Sequence, residues 1–304
     1  MPAACVIVAN PAPRARRAPI TRQSSRNPAD GASINYWLKA AGEVPTITIL
    51  DATGKAVRTL RGTSRVGLNR VNWDLQNEPT RSPRMRTKPM FDPDFTMDGD
   101  GTRSAPGFGN LAVLMPPGRY TVKLTVGGQS FTQPLDVLKD PNSPIMDQDI
   151  RATAAALTTI QSDMNTTADM LNTIETVRAQ IQAIAAQVAN DPAMAAVRSG
   201  GDSLEQKFIV VERTIIDPRM TGRGQDAVRY PVKLGGQLDY LAGGIAASDF
   251  APTTQQRAVG QVLAKQTRDT QSALRALVQG DLARFNVLLR SKGLKTIDVP
   301  TVVF

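Results

Sequence analysis

The chain has 304 residues and a formal net charge of +9, with 41% hydrophobic and 21% charged residues. This length and composition are typical of a folded protein with room for two ordinary domains, which excludes a chain that is disordered throughout. The sequence contains no histidine, so Ser-His and Cys-His dyads and HExxH metal sites are excluded. Its single cysteine, Cys5, excludes an internal disulfide and a thiolate zinc site.

The positive charge is concentrated towards the N-terminus. Residues 1–90 carry 15 Lys and Arg against 5 Asp and Glu, whereas residues 91–304 carry 21 against 22. A basic segment of this kind can bind nucleic acid or another anionic surface. Alternatively, the charges occupy loops and strand edges, where they discourage edge pairing, and the scarcity of aromatic residues nearby favours this second interpretation. The residues concerned are Arg65, Arg70, Arg81, Arg84, Arg86 and Lys88.

The N-terminal segment, residues 1–26, contains Pro and Arg without periodicity and is expected to be disordered. Its short apolar stretch, residues 3–9, precedes Arg14, whereas the charges of a secretory signal come before the apolar stretch. No export signal is therefore predicted. No apolar run in the sequence reaches the length of a membrane span.

Residues 27–140 show short runs of alternating apolar residues that predict antiparallel strands. Residues 46–50 and 55–60 form one predicted hairpin, with Gly54 in its connection. A second predicted hairpin turns at Gly127-Gly128. Because turn signals separate these strands and no helical pattern intervenes, we expect an Ig- or fibronectin-III-like antiparallel β-sandwich.

Trp73 is predicted to be the central buried side chain of this sandwich. Its strand places Val71, Trp73 and Leu75 on one face, and an indole ring buries a large area while its N–H needs only one acceptor. Three other aromatic residues could instead stack on a sugar, although aromatic residues in such positions more often belong to a core. They are Tyr36, Trp37 and Phe95.

The long predicted loop over residues 76–110 contains four aspartates close together, Asp92, Asp94, Asp98 and Asp100. Carboxylates with interspersed glycines can bind Ca²⁺, which takes six to eight oxygen ligands, but the spacing is not that of an EF-hand. A solvated acidic loop is the alternative. Asp74 and Glu78 could be combined with the first two aspartates as a hydrolytic carboxylate pair, yet any loop supplies such pairs. We therefore predict no catalytic residue.

After Asp140-Pro141 the hydrophobic period changes from two to about 3.6, which predicts a boundary between two independently folding units. Residues 141–304 are expected to form an antiparallel bundle of about four helices, so that the whole chain belongs to the α+β class. The first helix is predicted over about residues 147–190, and the second from Asp202 to Asp217-Pro218.

The third predicted helix starts at Pro231, and the fourth runs from Thr253 to about Ser291, followed by Gly293. Val259 and Val262 are among the residues expected on the apolar face of the fourth. The third contains several glycines, which lower helix propensity, so we expect close helix-helix contact to compensate. These glycines are Gly235, Gly236, Gly243 and Gly244.

Several motifs over about residues 27–298 resemble the C-terminal region of bacterial exported proteins with BNR-type, sortilin-like β-propellers, often described as glycosyl-hydrolase-like. The motifs are NPADG at 27–31, ILDATGKAVR at 49–58, GLNR at 67–70 with WDL at 73–75, PGRYTV at 117–122 and RYPVKL at 229–234. In such proteins the propeller precedes this region and would hold any sialidase-like hydrolytic site. No catalytic residue carries over, and residues 1–26 stand where the last propeller strand would lie.

The resemblance implies a non-catalytic accessory or interaction module, with a parental propeller or a separate protein as partner. A carbohydrate-binding fragment of a glycoside hydrolase is the alternative, and binding of nucleic acid or an anionic surface through the basic segment is a third. No cofactor is expected apart from the calcium considered above. The family resemblance implies a periplasmic or extracellular location, whereas the chain as written, without an export signal, would be cytoplasmic.

Overall fold

The computed structural model describes residues 30–248 and 250–300, and the predictions for residues 1–26 lie outside them. Contacts divide the chain into two units. One comprises residues up to 79 together with 112–154, and the other comprises 80–111 together with the residues after 154. Residues 80–111, predicted as a loop of the sandwich, are therefore grouped with the helices. The protein is of the α+β class, with antiparallel sheets and four long helices among the described residues.

Hydrogen bonding divides the strands of the first unit into two sheets. β1 pairs with β4, and a four-stranded sheet has the order β3-β2-β7-β8, with every pairing antiparallel. The pairs β2–β3 and β7–β8 confirm both predicted hairpins. The strands of this unit are β1 (Ala32–Leu38), β2 (Thr46–Leu50), β3 (Ala56–Arg61), β4 (Gly67–Trp73), β7 (Gly118–Val126) and β8 (Gln129–Val137), and the intervening β5 (Arg84–Met85) and β6 (Arg103–Ser104) belong to the second unit.

Both sheets of the first unit contribute side chains to one hydrophobic cluster, and Trp73 is fully buried in it. The Trp73 ring meets Tyr120 edge to face at 5.4 Å between centroids, and its Nε1 donates to the carbonyl oxygen of Gln76 at 2.8 Å. The prediction of Trp73 as a core residue is confirmed. Leu75, predicted on the same strand face, lies beyond the end of β4 with a φ of 61°.

The second unit is mainly helical. Its first helix starts at Asp147, and the residues of this helix up to 154 are assigned to the first unit. The long first helix, the capping box of Thr253 and Gln256, and the left-handed Gly293 after the last helix confirm three predictions. The helices are α1 (Asp147–Gln187), α2 (Ala195–Ile215), α3 (Asp226–Arg229), α4 (Leu234–Ala246), α5 (Thr254–Leu277) and α6 (Ala283–Ser291), with a π-helical segment (Val278–Leu282) joining the last two.

Two predicted helix starts are wrong. α2 begins at Ala195 and not at Asp202, so that Gly200 and Gly201 lie inside it. A Cβ on Gly200 would lie 3.3 Å from the Phe285 ring, so these glycines allow that ring to pack closely against α2. α4 begins at Leu234 and not at Pro231, because the short helix α3 and an extended Tyr230 precede it.

At Gly235 of α4 the close neighbour is a loop and not another helix. A Cβ on Gly235 would lie 2.5 Å from the ring of Phe108, which belongs to the segment 80–111. The prediction of a helix-helix contact at this glycine was wrong because the sequence does not show which segment approaches it.

Val259 and Val262 are also placed differently from the prediction, since they are 47% and 65% exposed. The residues that α5 buries are spaced by three and four positions and include two threonines, whose polarity hides the buried stripe in the sequence. They are Leu263, Thr267, Thr270, Leu274 and Leu277.

The segment 80–111 lies along α1 and supplies part of the helical core. Met85 and Ala105 belong to the same hydrophobic cluster as the buried residues of α1, α2, α5 and α6. Polar side chains of α1 hold the segment's backbone, since Asn165 accepts from the N–H of Arg81 at 2.8 Å and Asn172 from that of Arg84 at 2.9 Å. These α1 residues are spaced by three or four positions, so they form one polar stripe beside the apolar face. The stripe consists of Gln161, Asn165, Asp169, Asn172 and Glu175.

Candidate functional site

The predicted calcium ligands are not gathered around one point. Asp98 accepts from the Arg84 guanidinium at 2.7 Å, and Asp100 lies 3.6 Å from the same group. A hydrogen bond from Thr102 lowers the pKa of Asp100. Asp92, which is partly exposed, and Asp94, which is exposed, precede them in the segment, and no cluster of three possible acidic metal ligands occurs in the part of the chain that the structure describes. The Arg84 cation lies where the pattern suggested a metal.

The other acids considered for catalysis lie in the first unit. Asp74 accepts from the backbone N–H of Gln76 at 3.1 Å, and Glu78 accepts from the N–H of Thr59 at 3.3 Å. Both carboxylates thus bind the backbone of their own unit.

Of the three aromatic residues considered for stacking, only Trp37 presents a substantial surface, with 51% exposed. Tyr36 is buried, and its hydroxyl donates to the carbonyl oxygen of Thr63 at 2.7 Å. Phe95 is also buried, with the guanidinium groups of Arg103 and Arg223 over its ring at 5.6 and 4.6 Å from the centroid.

Two of the basic residues of the N-terminal third are committed to ion pairs, Arg81 with Asp169 and Arg84 with Asp98. Arg70 donates to Asn35 across β4 and β1 at 2.8 Å. Arg70 thus lies on β4, Arg81 and Arg84 lie in the segment 80–111, and each is bound to a nearby side chain.

The most unusual chemical feature of the helical unit is a buried charge cluster that the sequence analysis missed. Arg178 of α1 is 6% exposed at its side chain, whereas Glu175 of α1 and Glu212 of α2 are 0% exposed. The Arg178 guanidinium donates to Glu175 at 2.9 Å, to Glu212 at 2.7 Å and to Glu205 at 3.2 Å. Glu175 and Arg178 are separated by three positions on α1, and this spacing of opposite charges is the signal that could have indicated them.

Glu175 also holds the segment 80–111. One of its oxygens accepts from the backbone N–H of Thr87 at 2.7 Å, and the other accepts from the Thr87 hydroxyl at 2.9 Å. Arg103 donates to the Thr87 carbonyl oxygen at 3.0 Å. The cluster therefore connects the segment, α1 and α2 through one buried threonine.

Burial and neighbouring charges shift the ionisation of this cluster. Burial, reinforced by the nearby Glu175 and a hydrogen bond between the two carboxyl groups, raises the pKa of Glu212 well above its usual range, although Arg178 opposes this. Burial disfavours the Arg178 cation, but the three glutamates outweigh that effect and raise its pKa. Burial lowers the pKa of Arg103. Glu212 thus holds its proton to higher pH than an exposed glutamate does.

A cleft of about 700 Å³ lies beside this cluster, between the segment 80–111 and α2. Its size is within the range of small-molecule sites. Arg178 and Glu205 form part of its wall, and Glu205 is the only acid among the described residues that line it. The basic lining residues besides Arg178 are Arg86, Lys88 and Arg213.

Comparisons with known proteins found no matching family model, no matching curated protein and no matching solved structure. Across residues 30–248 and 250–300, none of the helices combines the length and apolar character that crossing a bilayer requires.

Proposed function

We propose that this chain is a non-catalytic accessory or interaction module. In this proposal an Ig- or fibronectin-III-like β-sandwich precedes an antiparallel helical bundle, as in the C-terminal region of BNR-type, sortilin-like propeller proteins. The antiparallel hairpins around Trp73 and the four long helices support this architecture. Its partner would be a propeller or another protein.

The absence of a second acid in the described lining of the cleft carries the non-catalytic part of the proposal. Hydrolysis by paired carboxylates needs two acids that face the same space at a fixed separation. Glu175 and Glu212 are completely buried, and their hydrogen bonds go to the segment and to Arg178. Glu205 is bound to Arg178 and to Gln182, at 3.2 and 2.7 Å. These acids support the packing of the helical unit.

Activity measurements with the full chain test this proposal. We expect no turnover of sialosides, aryl glycosides, esters or peptides. Turnover that persists through repurification and is abolished in Glu205→Gln, but not in a variant of the exposed Asp269, would contradict it.

The association with a propeller is tested separately. An in-frame BNR-type or sortilin-like propeller directly upstream in the genome, and micromolar or tighter binding of that propeller to the full chain in calorimetry, would support it. An unrelated upstream domain, or no binding of the propeller, would contradict it.

Carbohydrate binding by the first unit is a second candidate, favoured by the outer face of the β1–β4 pair. In the register of these strands Trp37 lies opposite Leu68, and Asn35 lies opposite Arg70. An exposed indole next to a row of polar side chains is suited to stacking on a sugar ring while hydrogen bonding its hydroxyls. A glycan array probed with the full chain tests this candidate. Binding that is lost in Trp37→Ala and retained in Leu138→Ala, another exposed apolar position, would support it, and an array without signal would reject it.

A further inference from the structure

Three cations around the cleft have no acidic partner in the part of the chain that the structure describes. Arg86, Lys88 and Arg213 form no ion pair with any residue in the described ranges. Their side chains contact uncharged atoms instead: the carbonyl oxygen of Arg84 at 3.0 Å, the carbonyl oxygen of Pro93 at 2.5 Å and the sulfur of Met90 at 3.5 Å, respectively. Elsewhere in the same unit, exposed cations such as Arg81 and Lys207 form ion pairs with carboxylates.

The balance of charge in the cleft is positive. Of the described residues that line the cleft, only Glu205 is acidic, and it is already bound to Arg178. The unpaired cations come from two elements, since Arg86 and Lys88 belong to the segment 80–111 and Arg213 belongs to α2. Several cations that line one concave surface favour an anionic ligand, because the low-dielectric walls strengthen the local electric field.

The remaining lining of the cleft is largely apolar. Its accessible apolar surface comes from the exposed Pro93 and from the thioether groups of the half-buried Met90 and Met97, while Pro89, Ile209 and Pro218 are buried members of the lining. Methionine adapts its shape to irregular apolar ligands. Inorganic anions would leave this apolar surface uncovered, whereas a ligand with an apolar body would cover it.

We infer that the cleft binds a small organic anion in which a carboxylate, sulfonate or phosphate is attached to an apolar body. The anionic group contacts Arg86, Lys88 and Arg213, where charge-assisted hydrogen bonds to guanidinium groups are strong and directional. The apolar body lies on Pro93 and the methionines, and the amide groups of Gln182 and Gln206 orient polar atoms at the edge. This inference goes beyond the proposed function and is independent of it, because it requires neither a propeller partner nor the absence of turnover.

The probe for this inference is 8-anilinonaphthalene-1-sulfonate, which combines a single negative charge with an aromatic body and fluoresces in apolar sites. Its neutral counterpart is N-phenyl-1-naphthylamine, which has nearly the same shape without the sulfonate. For a ligand of this size we expect one site per chain and a dissociation constant on the order of tens of micromolar. We expect the neutral probe to bind at least about tenfold more weakly.

Two variants with the same change of net charge per substitution separate the site from the general charge of the chain. In Arg213→Gln the dissociation constant of the sulfonate probe should rise about tenfold. In Arg290→Gln, an exposed position at the end of α6, it should stay within about twofold of wild type. Saturating probe should raise the thermal midpoint of the wild-type chain, because a ligand that binds the folded state stabilises it.

The inference is overturned if the neutral probe binds as tightly as the sulfonate, or if Arg213→Gln and Arg290→Gln behave alike. It is also overturned if the sulfonate lowers the thermal midpoint, which would show binding to unfolded chain. Displacement of the probe by inorganic phosphate at equal concentration would contradict the requirement for an apolar body.

Discussion

Replacing Arg178 by methionine is expected to destabilise the helical unit strongly. Its guanidinium is the cation that faces the buried Glu175 and Glu212, and it also donates to the Thr87 hydroxyl at 3.0 Å. Methionine fills the space of the aliphatic part of the arginine side chain, so the change mainly removes the charge and the donors. The Glu175 carboxylate would then remain buried without a cation.

The size of the expected loss of stability follows from the burial of Glu175 and Glu212, the partners of Arg178. Breaking a completely buried ion pair by removing one partner costs about 3–5 kcal/mol. That is a large part of the roughly 5–15 kcal/mol that stabilises a typical domain. The matched control is Arg81→Met, because Arg81 also bonds an α1 carboxylate but is 57% exposed at its side chain. Such an exposed pair contributes only about 0–1 kcal/mol.

Urea unfolding of the full chain, followed by far-ultraviolet circular dichroism, measures both variants. If Arg178→Met does not fold, the combination with Glu175→Gln should restore folding, because the uncompensated charge is then removed as well. If Arg178→Met costs no more stability than Arg81→Met, the expectation is wrong, because the cluster is then solvated in solution.

Three further outcomes are expected. Trp73→Ala should cost about 3–5 kcal/mol and abolish the near-ultraviolet dichroism of the first unit while the helical signal remains, and wild-type stability would contradict its position in the core. Gly243→Ala should stabilise the chain by about 1 kcal/mol, because nothing lies within 4 Å of its Cβ position. Gly235→Ala should destabilise the chain, because its Cβ would collide with the Phe108 ring. Equal melting temperatures for these two variants would show that the ring is not packed against Gly235. Because the pKa of Glu212 is raised in the folded chain, the folded chain binds a proton that the unfolded chain releases. Stability should therefore fall as the pH rises above about 4.3, towards the folded-state pKa. Glu212→Gln should reduce this pH dependence of the melting temperature, and the same pH dependence in both proteins would contradict the prediction.

The parts of the fold that could be predicted from the sequence depend on neighbouring residues. Both hairpins follow from strand alternation and turn glycines, such as Gly127-Gly128 with φ of 54° and 75°. Trp73 follows from alternation and size. α1 follows from apolar spacing sustained over 41 residues. In each case the pattern and its structural partner lie within one element or one short connection.

The features that could not be predicted depend on distant partners. Glu175 contacts Thr87 across 88 positions, and no local pattern shows that an extended segment will bind there. The contact of Arg84 with Asp98 could not be predicted because an arginine 14 positions before an aspartate gives no periodic signal. Likewise, the cleft is formed by side chains from a segment and a helix that the sequence separates by more than a hundred residues, as in the contact of Arg213 with Met90.

The attachment of the segment 80–111 to α1 and α2 has a kinetic consequence. The segment precedes its helical partners in the chain, and contacts such as that of Arg103 with the Met220 carbonyl oxygen span 117 positions. Contacts of high sequence separation form late, after the entropy of closing a long loop has been overcome. The helices can form first by local contacts, and the segment then docks onto the polar stripe of α1. Since Lys88 and Met90 come from the segment while Ile209 and Arg213 come from α2, the cleft exists only in molecules in which docking is complete. Occupancy of the cleft and order of the segment are therefore two readouts of one equilibrium, and a ligand bound there would slow the release of the segment.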